Sequence, residues 1–446
     1  MADPARTAAL EVLRAVRAAD AYTNLALPSA LKKHGLSGRD AAFATELTSG
    51  TVRRQGLYDA VLAACVDRPL AQVQARVLDA LRMGTHQLLA MRVPAHAAIS
   101  TTVALVRSDV GPGAAGFANA VLRRVSEHDE EAWVARVAPA RADDPVGYLS
   151  VAHAHPRWVV GTLTEAVGET EVEALLVADN QPPGVTLVAR PGRSSRDELP
   201  GEPTRWSPYG VHLASGDPSA VAAVAEGRAG VQDEGSQLVA LALAEAPLDG
   251  PDLRWLDLCA GPGGKAALLG ALASQRAARL LANERLLHRA DLVRRTLRGA
   301  DGVLGVVTGD GTRPPWPAGS FDRVLVDAPC TGLGALRRRP EARWRRQPSD
   351  LDALVPLQQA LLSSALDAVR PGGVVLYATC SPVLAETSEL VSAVLAARSD
   401  AELEDATALL PDVPDCAGPL PRTFQLWPHR HGTDAMFGAL LRRVAG

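Results

Sequence analysis

The chain has few cysteines, and their spacing matches no familiar framework. Its 446 residues contain Cys65, Cys259, Cys330, Cys380 and Cys416, with no CxxC pair among them. An odd number of widely separated cysteines argues against both a disulfide framework and a zinc site. We therefore expect free thiols and no bound metal ion.

Long apolar runs and an excess of basic residues are also absent from the sequence. No uninterrupted apolar segment approaches the roughly 20 residues that a membrane-spanning helix needs. The first residues, Met1-Ala2-Asp3-Pro4, carry a charge and begin no apolar stretch, so no secretory signal is expected. The formal net charge is −4, which gives no overall attraction to nucleic acid. We expect a cytoplasmic monomer whose contacts with nucleic acid come from local clusters of charge.

Sequence patterning changes twice along the chain, and each change predicts a domain boundary. In residues 1–140 apolar positions recur at three- and four-residue intervals, which predicts an all-α bundle. Over 141–230 proline, glycine and short β-like runs become frequent, so that a small α+β connecting module is expected. From 231 to 446 strands, loops and helices alternate, which predicts an α/β domain with a doubly wound parallel sheet.

The strongest chemical signal lies at the ends of two predicted strands. The apolar run 324–326 leads to Asp327, and Cys330 follows in a turn. A second apolar run, 374–377, leads to Cys380 in the same way. Ligands and reacting groups collect at the carboxyl ends of strands in open α/β sheets. One aspartate and two cysteines therefore stand where a reaction would occur.

A glycine-rich loop follows the predicted strand at 253–258 and precedes a helix. It reads Cys259-Ala260-Gly261-Pro262-Gly263-Gly264-Lys265, and its glycines let the backbone approach a ligand at the helix N-terminus. A phosphate-binding loop is disfavoured, because Cys259 replaces its first glycine and Ala266 replaces its serine or threonine. Ala266 also replaces the third glycine of a dinucleotide fingerprint. The loop would then bind a nucleoside ligand other than ATP or a dinucleotide. The alternative is that it is a structural turn that binds no ligand.

S-adenosylmethionine is the ligand that fits this loop and the strand ends beside it. The loop amides would meet its carboxylate and ammonium groups. Glu284, at the end of the next predicted strand, would bind the ribose diol, and Asp310 would bind the adenine edge. Acids at both positions suit a ligand that offers hydroxyl and amino donors and carries no phosphate.

A methyl donor beside a cysteine nucleophile points to a carbon that must be activated before it reacts. Cytosine C5 is such a carbon, because thiolate addition at C6 moves electron density onto C5. Asp327 is placed to hydrogen-bond at N3 and stabilise the developing charge. Release requires loss of the C5 proton and of the cysteine, a step that a second cysteine would assist. The residues alone leave open which cysteine has which role, and burial of both as small apolar groups is the alternative.

Four sequence blocks resemble those of the RNA 5-methylcytosine methyltransferase family. They are Asp327-Ala328-Pro329-Cys330, Thr379-Cys380-Ser381, the glycine loop from Cys259 to Lys265, and Arg338-Arg339-Pro340-Glu341 followed by Trp344. Residues 1–140 are similar to a NusB-type RNA-binding bundle, so the resemblance covers nearly the full chain. It implies a Rossmann-like methyltransferase domain that uses S-adenosylmethionine, with Cys380 as the nucleophile and Cys330 assisting product release. It also implies that Asp327 contacts both cytosine and cofactor.

The NusB-like extension favours the bacterial ribosomal members of this family, and hence 16S ribosomal RNA as the substrate. The same chemistry on transfer RNA, or a non-catalytic RNA-binding or ribosome assembly factor, remains an alternative. Two segments depart from the family pattern. Glu386-Thr387 stands where an acid–Asn pair is usual, and Asp434-Ala435-Met436-Phe437 replaces a common D-G-F-F ending.

A dense cluster of arginines lies just after Cys330. Residues 337–346 contain six arginines around one tryptophan. Guanidinium groups pair with phosphates, and an aromatic ring can stack on an unpaired base. We therefore expect RNA contacts from Arg338, Arg339, Arg343, Trp344 and Arg346. A solvated basic loop is the alternative.

Overall fold

The computed structural model describes residues 3–19 and 21–444. The expected absence of a secretory signal rests partly on Met1 and Ala2, which lie outside the described residues. The chain forms two compact units, the first made of 1–181 with 336–345 and the second of 182–335 with 346–446. Within the described ranges, no helix is both long enough and apolar enough to cross a membrane.

Helices and strands are numbered in chain order. The helices are α1 Pro4–Ala18, α2 Thr23–Lys33, α3 Gly38–Arg53, α4 Gln55–Cys65, α5 Ala75–Leu89, α6 Ala95–Asp109, α7 Pro112–Val125, α8 Glu130–Val137, α9 Pro145–Ala152, α10 Arg157–Val167, α11 Val172–Asp179, α12 Ala222–Ala225, α13 Glu234–Glu245, α14 Gly264–Gln275, α15 Leu287–Thr296, α16 Ala342–Arg345, α17 Leu351–Ala368, α18 Ser388–Ala397 and α19 Pro428–His431. The strands are β1 Thr186–Ala189, β2 Glu202–Pro203, β3 Gly210–His212, β4 Ala229–Val231, β5 Arg254–Asp257, β6 Arg279–Glu284, β7 Val303–Thr308, β8 Phe321–Asp327, β9 Val369–Thr379, β10 Ala401–Glu404, β11 Phe424–Gln425 and β12 Phe437–Arg443.

The first unit is helical, as the spacing of its apolar residues predicts. Leu13 of α1, Leu47 of α3, Leu62 of α4 and Leu81 of α5 meet in one buried cluster. Apolar residues at helical spacing pack one face of each helix into this core. Helices α9 to α11 extend the unit to residue 179, so the sequence-predicted module at 141–230 is divided between the two units. Most of the prolines and glycines that suggested a separate module lie in residues 182–230, which belong to the second unit.

The second unit contains a mixed sheet in the order β10-β12-β9-β8-β5-β6-β7, with β11 also paired to β12. Strands β5 to β9 pair in parallel, whereas β12 and β10 run antiparallel to their neighbours. The parallel part confirms the predicted α/β domain. The antiparallel edge is not predicted, because residue patterning marks strands and carries little information about their direction. A separate antiparallel sheet has the order β2-β3-β1-β4.

Both faces of β8 and of the second half of β9 are buried, which explains their continuous apolar runs. Leu325 and Leu376 face a cluster that includes residues of α13 and α14. Val326 and Tyr377, the next residues along, face a second cluster with α17 and α18. Alternate side chains of β8 and β9 therefore pack against helix layers on opposite sides of the sheet.

The pairing of β8 with β9 positions the two cysteine turns. Val326 lies opposite Tyr377, and Asp327 lies opposite Ala378. Since the strands are parallel and end at nearly the same level, the chain continues from them into two neighbouring turns. Cys330 lies in the first turn and Cys380 in the second.

Asp322, near the start of β8, is a buried carboxylate that links the beginnings of several strands. Its Oδ2 accepts hydrogen bonds from Leu253 N at 2.9 Å and from Arg254 N at 2.8 Å. Its Oδ1 accepts a hydrogen bond from Arg370 Nε, on β9, at 2.7 Å. The side chain therefore satisfies donors that would otherwise lose their acceptor in the folded state.

We predict that Asp322→Ala lowers the free energy of unfolding by about 3–5 kcal/mol, because a partly buried arginine and two backbone donors lose their buried acceptor. Asp291→Ala is the control. Asp291 is half exposed and pairs with Arg294 within one helical turn, so its removal should cost no more than about 1 kcal/mol. Urea unfolding followed by circular dichroism measures both effects. Equal losses of stability in the two variants would contradict the role given to Asp322.

Candidate active site

The thiols of Cys330 and Cys380 face each other at the carboxyl edge of the sheet. Their sulfur atoms are 3.5 Å apart, and both residues are partly exposed. The two turns are joined by a hydrogen bond from Gly334 N to Cys380 O at 2.9 Å. Two partly exposed thiols in contact differ from the small buried groups that free cysteines often form.

A lysine and an aspartate form an ion pair in the same site. Lys265 lies in the first turn of α14, and its Nζ is 2.8 Å from Asp327 Oδ2. Burial alone would lower the pKa of Lys265, but the charge and hydrogen bond of Asp327, together with Cys380, raise this pKa above its ordinary value. Lys265 is therefore protonated at neutral pH. In the sequence Lys265 belongs to the predicted cofactor loop. In the structure the side chain of Lys265 pairs with Asp327, at the end of β8.

Cys330 lies in surroundings that favour its protonated form. The neighbouring Cys380 sulfur, burial, and the carboxylates of Glu386 and Asp327 raise the pKa of the Cys330 thiol well above its ordinary value. Cys330 is therefore a neutral thiol near pH 7. This difference in environment could not be derived from the sequence, in which the two cysteines occupy similar strand-end positions.

The glycine loop makes a tight approach to the end of β6. A Cβ at Gly261 would lie 2.1 Å from Glu284 Oε2, so no other residue fits there without movement. Gly263 has φ of +113°, a left-handed conformation that favours glycine, and a Cβ there would meet Thr296. In the described part of the chain, no side chain caps the N-terminus of α14. Its first amide groups are thus suited to a ligand carboxylate.

Acidic side chains stand at the ends of successive strands around this loop. Glu284 is buried, and its Oε1 accepts a hydrogen bond from Leu286 N at 2.9 Å. Asp310 is exposed, and hydrogen bonds from Thr312 hold its pKa below the ordinary value. The donor set of S-adenosylmethionine, which comprises an ammonium group, two ribose hydroxyls and an adenine amine, fits such acceptors.

Asp257 is a site residue that the sequence analysis missed. It ends β5 and is fully buried, and its Oδ2 has no hydrogen-bond partner among the described residues. Burial, reinforced by the charge of Asp327, raises the pKa of Asp257 to about 8. The sequence could have identified Asp257 as a candidate, because it is the one acid in an apolar strand that ends just before the glycine loop. An unpartnered carboxyl oxygen beside Lys265 and Asp327 is available to a polar group of a ligand.

The structure contradicts the expected RNA contact of Arg343. Arg343 is fully buried in the first unit, where its guanidinium donates to Asn180 Oδ1 at 2.8 Å and to backbone oxygens. The Trp344 indole donates to Val52 O at 2.8 Å, and its ring lies against Gly56. Arg343 is therefore a packing element of the helical unit, whereas Trp344 is partly exposed and its contact with RNA stays a prediction. A local cluster of basic residues does not reveal that part of it folds inward.

The other members of the arginine cluster have different surroundings. Arg339 is exposed, and its guanidinium lies 5.4 Å from the ring centre of Tyr22. Arg338 is partly exposed. Arg346, in the second unit, donates from Nε to Thr331 O at 3.0 Å and from Nη2 to Cys330 O at 3.4 Å. Arg346 thus supports the backbone of the first cysteine turn.

Comparisons with known proteins agree with this arrangement. The family model described as 16S rRNA methyltransferase RsmB/F matches residues 243–442, and the NusB family model matches residues 3–127. A protein of Mycobacterium tuberculosis H37Rv, whose name provisionally calls it a methyltransferase, is 54% identical over 448 residues, which cover 99% of this chain and 97% of that protein. The ribosomal RNA small subunit methyltransferase B of Pseudomonas putida is 34% identical over 455 residues, which cover 99% of this chain and 98% of that protein.

A solved structure shows the same fold over the full length. The crystal structure of PH0851 has a TM-score of 0.81 and 22% sequence identity, and the match covers 99% of each chain. The match to the methyltransferase family model spans the glycine loop, the acidic strand ends and the paired cysteine turns, and S-adenosyl-L-methionine is the cofactor of that family. The chain belongs to the RsmB/F family of 16S rRNA methyltransferases, with a NusB-like domain at its N-terminus.

Proposed function

We propose that this enzyme methylates C5 of a cytosine in 16S ribosomal RNA in the cytoplasm, with Cys380 as a covalent nucleophile. The observation that carries the proposal is a pair of thiols 3.5 Å apart beside the Lys265–Asp327 ion pair. The family description supports RNA methylation, and the name of the Pseudomonas putida relative supports the small ribosomal subunit as its source.

Cys380 is better suited than Cys330 to be the nucleophile. The thiolate, and not the thiol, attacks carbon. The raised pKa of Cys330 keeps that residue protonated near neutral pH. Cys380 lies close enough to Lys265 to raise the pKa of the lysine, so an ammonium group lies near the sulfur that would attack C6.

In the proposed first step the Cys380 sulfur forms a bond to C6, and the C5–C6 π electrons move toward C5 and N3. The ammonium group of Lys265 can give a proton to N3. The carboxylate of Asp327 can then accept a hydrogen bond from the resulting N3–H. Bound S-adenosyl-L-methionine supplies the methyl group that C5 takes. Cys330, after giving its own proton to solvent, then removes the C5 proton. The electrons of that C–H bond restore the C5–C6 double bond, and the Cys380 sulfur leaves with its electron pair.

The cofactor assignments follow from the same edge of the sheet. We propose that the backbone amides of the loop Cys259-Ala260-Gly261-Pro262-Gly263-Gly264-Lys265 and of the start of α14 bind the cofactor carboxylate, Glu284 the ribose hydroxyls and Asp310 the adenine edge. Asp327 lies between cofactor and base in this proposal. Four of the predicted RNA contacts are retained because their side chains are at least partly exposed, namely Arg338, Arg339, Trp344 and Arg346.

We predict that Cys380→Ala lowers methyl transfer to 16S ribosomal RNA by roughly 10³-fold or more, because the covalent route is lost. Cys330→Ala should instead accumulate a protein–RNA adduct, because the bond to C6 forms and is not released. Denaturing gels of enzyme incubated with RNA and radiolabelled cofactor measure both. Cys416→Ala, at a buried cysteine outside the site, is the control and should behave as wild type. An adduct that accumulated in Cys380→Ala and not in Cys330→Ala would reverse the two roles.

We predict that Lys265→Met lowers kcat by about 10²-fold while the dissociation constant for S-adenosyl-L-methionine changes little, because the lysine acts on the base through its pair with Asp327. Lys265→Arg keeps the charge and should recover part of the loss. Steady-state kinetics and calorimetric titration of the cofactor separate the two effects. Lost cofactor affinity with normal kcat at saturation would instead assign Lys265 to cofactor binding alone.

The substrate is tested by supplying purified 16S ribosomal RNA and transfer RNA in parallel, followed by bisulfite sequencing. The proposal predicts one protected cytosine in 16S ribosomal RNA that is absent with Cys380→Ala. Protection confined to transfer RNA would overturn the substrate, and methylation at a position other than C5 would overturn the chemistry.

A further inference from the structure

Glu386 is a buried carboxylate beside the two cysteine turns. It ends a 3₁₀ turn, Leu384–Glu386, and its side chain is 0% exposed. Its Oε1 accepts hydrogen bonds from Thr331 N at 2.8 Å and from Gln358 Nε2 at 2.9 Å. Its Oε2 accepts from the hydroxyl groups of Thr331 and Ser381, each at 2.5 Å. Its two oxygens therefore accept four hydrogen bonds from three separate segments of the chain.

Two of these donor residues are the immediate neighbours of the reactive cysteines. Thr331 follows Cys330 in the chain, and Ser381 follows Cys380. Both turns are therefore tied to the same carboxylate, and the two hydroxyl oxygens lie 3.0 Å from each other. The sulfur atoms, one residue away on each side, are 3.5 Å apart. A shift of Glu386 would be transmitted to both sulfurs through one peptide unit each.

Glu386 is itself held in place by residues of a helix and of a strand. Gln358, on α17, donates to Pro329 O at 2.8 Å as well as to Glu386. The Tyr377 hydroxyl, on β9, donates to the backbone oxygen of Glu386 at 2.8 Å. Glu386 thus connects the two cysteine turns to a helix and a strand of the core, which are rigid by comparison with the turns.

Desolvation of an isolated carboxylate costs several kcal/mol, so an apolar residue would serve better if packing were the only requirement. We propose that Glu386 is a positioning residue that sets the separation of the Cys330 and Cys380 sulfurs. Its effect on methyl transfer rests on the proposed function, in which Cys330 must reach the C5 proton of a base that is bonded to Cys380. Glu386 contacts neither sulfur in this role and acts through the residues that follow them.

The unusual residue after Glu386 does not disturb this arrangement. Thr387 stands where asparagine is usual in the family that the sequence resembles. Its hydroxyl donates to Val383 O at 2.9 Å, within its own turn. The departure from the family pattern therefore leaves the four hydrogen bonds of the neighbouring carboxylate intact.

Three variants separate the contributions of shape, hydrogen bonding and general stability. Glu386→Ala removes all four acceptor contacts. Glu386→Gln keeps the shape, and its amide can still accept from Thr331 N while donating to the two hydroxyl groups, which can rotate. Glu389→Gln is the matched control, because Glu389 is exposed three residues further along.

The first measurement needs neither RNA nor cofactor. The full-length protein is equilibrated with reduced and oxidised glutathione, and the disulfide between Cys330 and Cys380 is quantified by peptide mass spectrometry. Its equilibrium constant reports the effective concentration of one thiol at the other. We expect Glu386→Ala to lower this constant by about tenfold or more, Glu386→Gln to lower it less, and Glu389→Gln to leave it unchanged. An unchanged constant in folded Glu386→Ala would overturn the proposal.

The second measurement is the steady-state kinetics of the same proteins. Misplacement of reacting groups by about 1 Å can cost roughly 10²-fold in rate, so Glu386→Ala should lower kcat by about this factor with little change in KM. A fall in kcat that the unfolded fraction of Glu386→Ala fully accounts for would indicate a structural role alone and contradict the proposal.

If Glu386→Ala does not fold, Thr331→Val combined with Ser381→Ala removes both hydroxyl contacts and must show the same two effects. If wild type makes no 5-methylcytosine but its disulfide constant depends on Glu386, the proposed function fails and the positioning role stands.

Discussion

The parallel pairing of β8 with β9 is the interaction on which the rest of the site depends. Its register sets Asp327 opposite Ala378, and the two cysteine turns begin from that level. The same register buries Val326 and Tyr377 in one helix-covered layer of the core. A slip by one residue would turn each of these side chains to the other face of the sheet. The packing that stabilises the domain therefore also fixes the positions of the reactive sulfurs.

The second constraint is the cost of removing charge from water at this edge of the sheet. A buried carboxylate is tolerated only when it is paired, hydrogen-bonded or protonated, and the three acids here use three different solutions. Asp327 pairs with Lys265, Glu386 accepts four hydrogen bonds, and Asp257 has its pKa raised to about 8. Neighbouring acids of similar chemistry therefore differ in charge and in hydrogen bonding, and a protonated lysine lies near Cys380.

Local features of the sequence were sufficient to predict the class of fold and the strand-end residues. The apolar runs, the glycine loop and the cysteines at the ends of two runs each express a short-range rule, and the family model and the sheet confirm the fold. Pairings between distant segments were not predictable in this way. The partner of Lys265, the four donors to Glu386 and the inward fold of Arg343 each depend on which segments pack together. The arginine cluster shows the limit most clearly, because the same residues would look alike in a solvated loop and in a core.

In the proposed reaction the Cys380 sulfur bonds to C6 of the target cytosine. The most direct measurement uses wild-type enzyme, S-adenosyl-L-methionine and a 16S ribosomal RNA fragment whose target carries fluorine at C5, which cannot be removed as a proton would be. Protease and nuclease digestion followed by mass spectrometry then locates the trapped nucleotide. The account predicts a methylated nucleotide on the peptide that contains Cys380. A nucleotide on the peptide that contains Cys330, or no covalent product while the unmodified RNA is methylated normally, would contradict it.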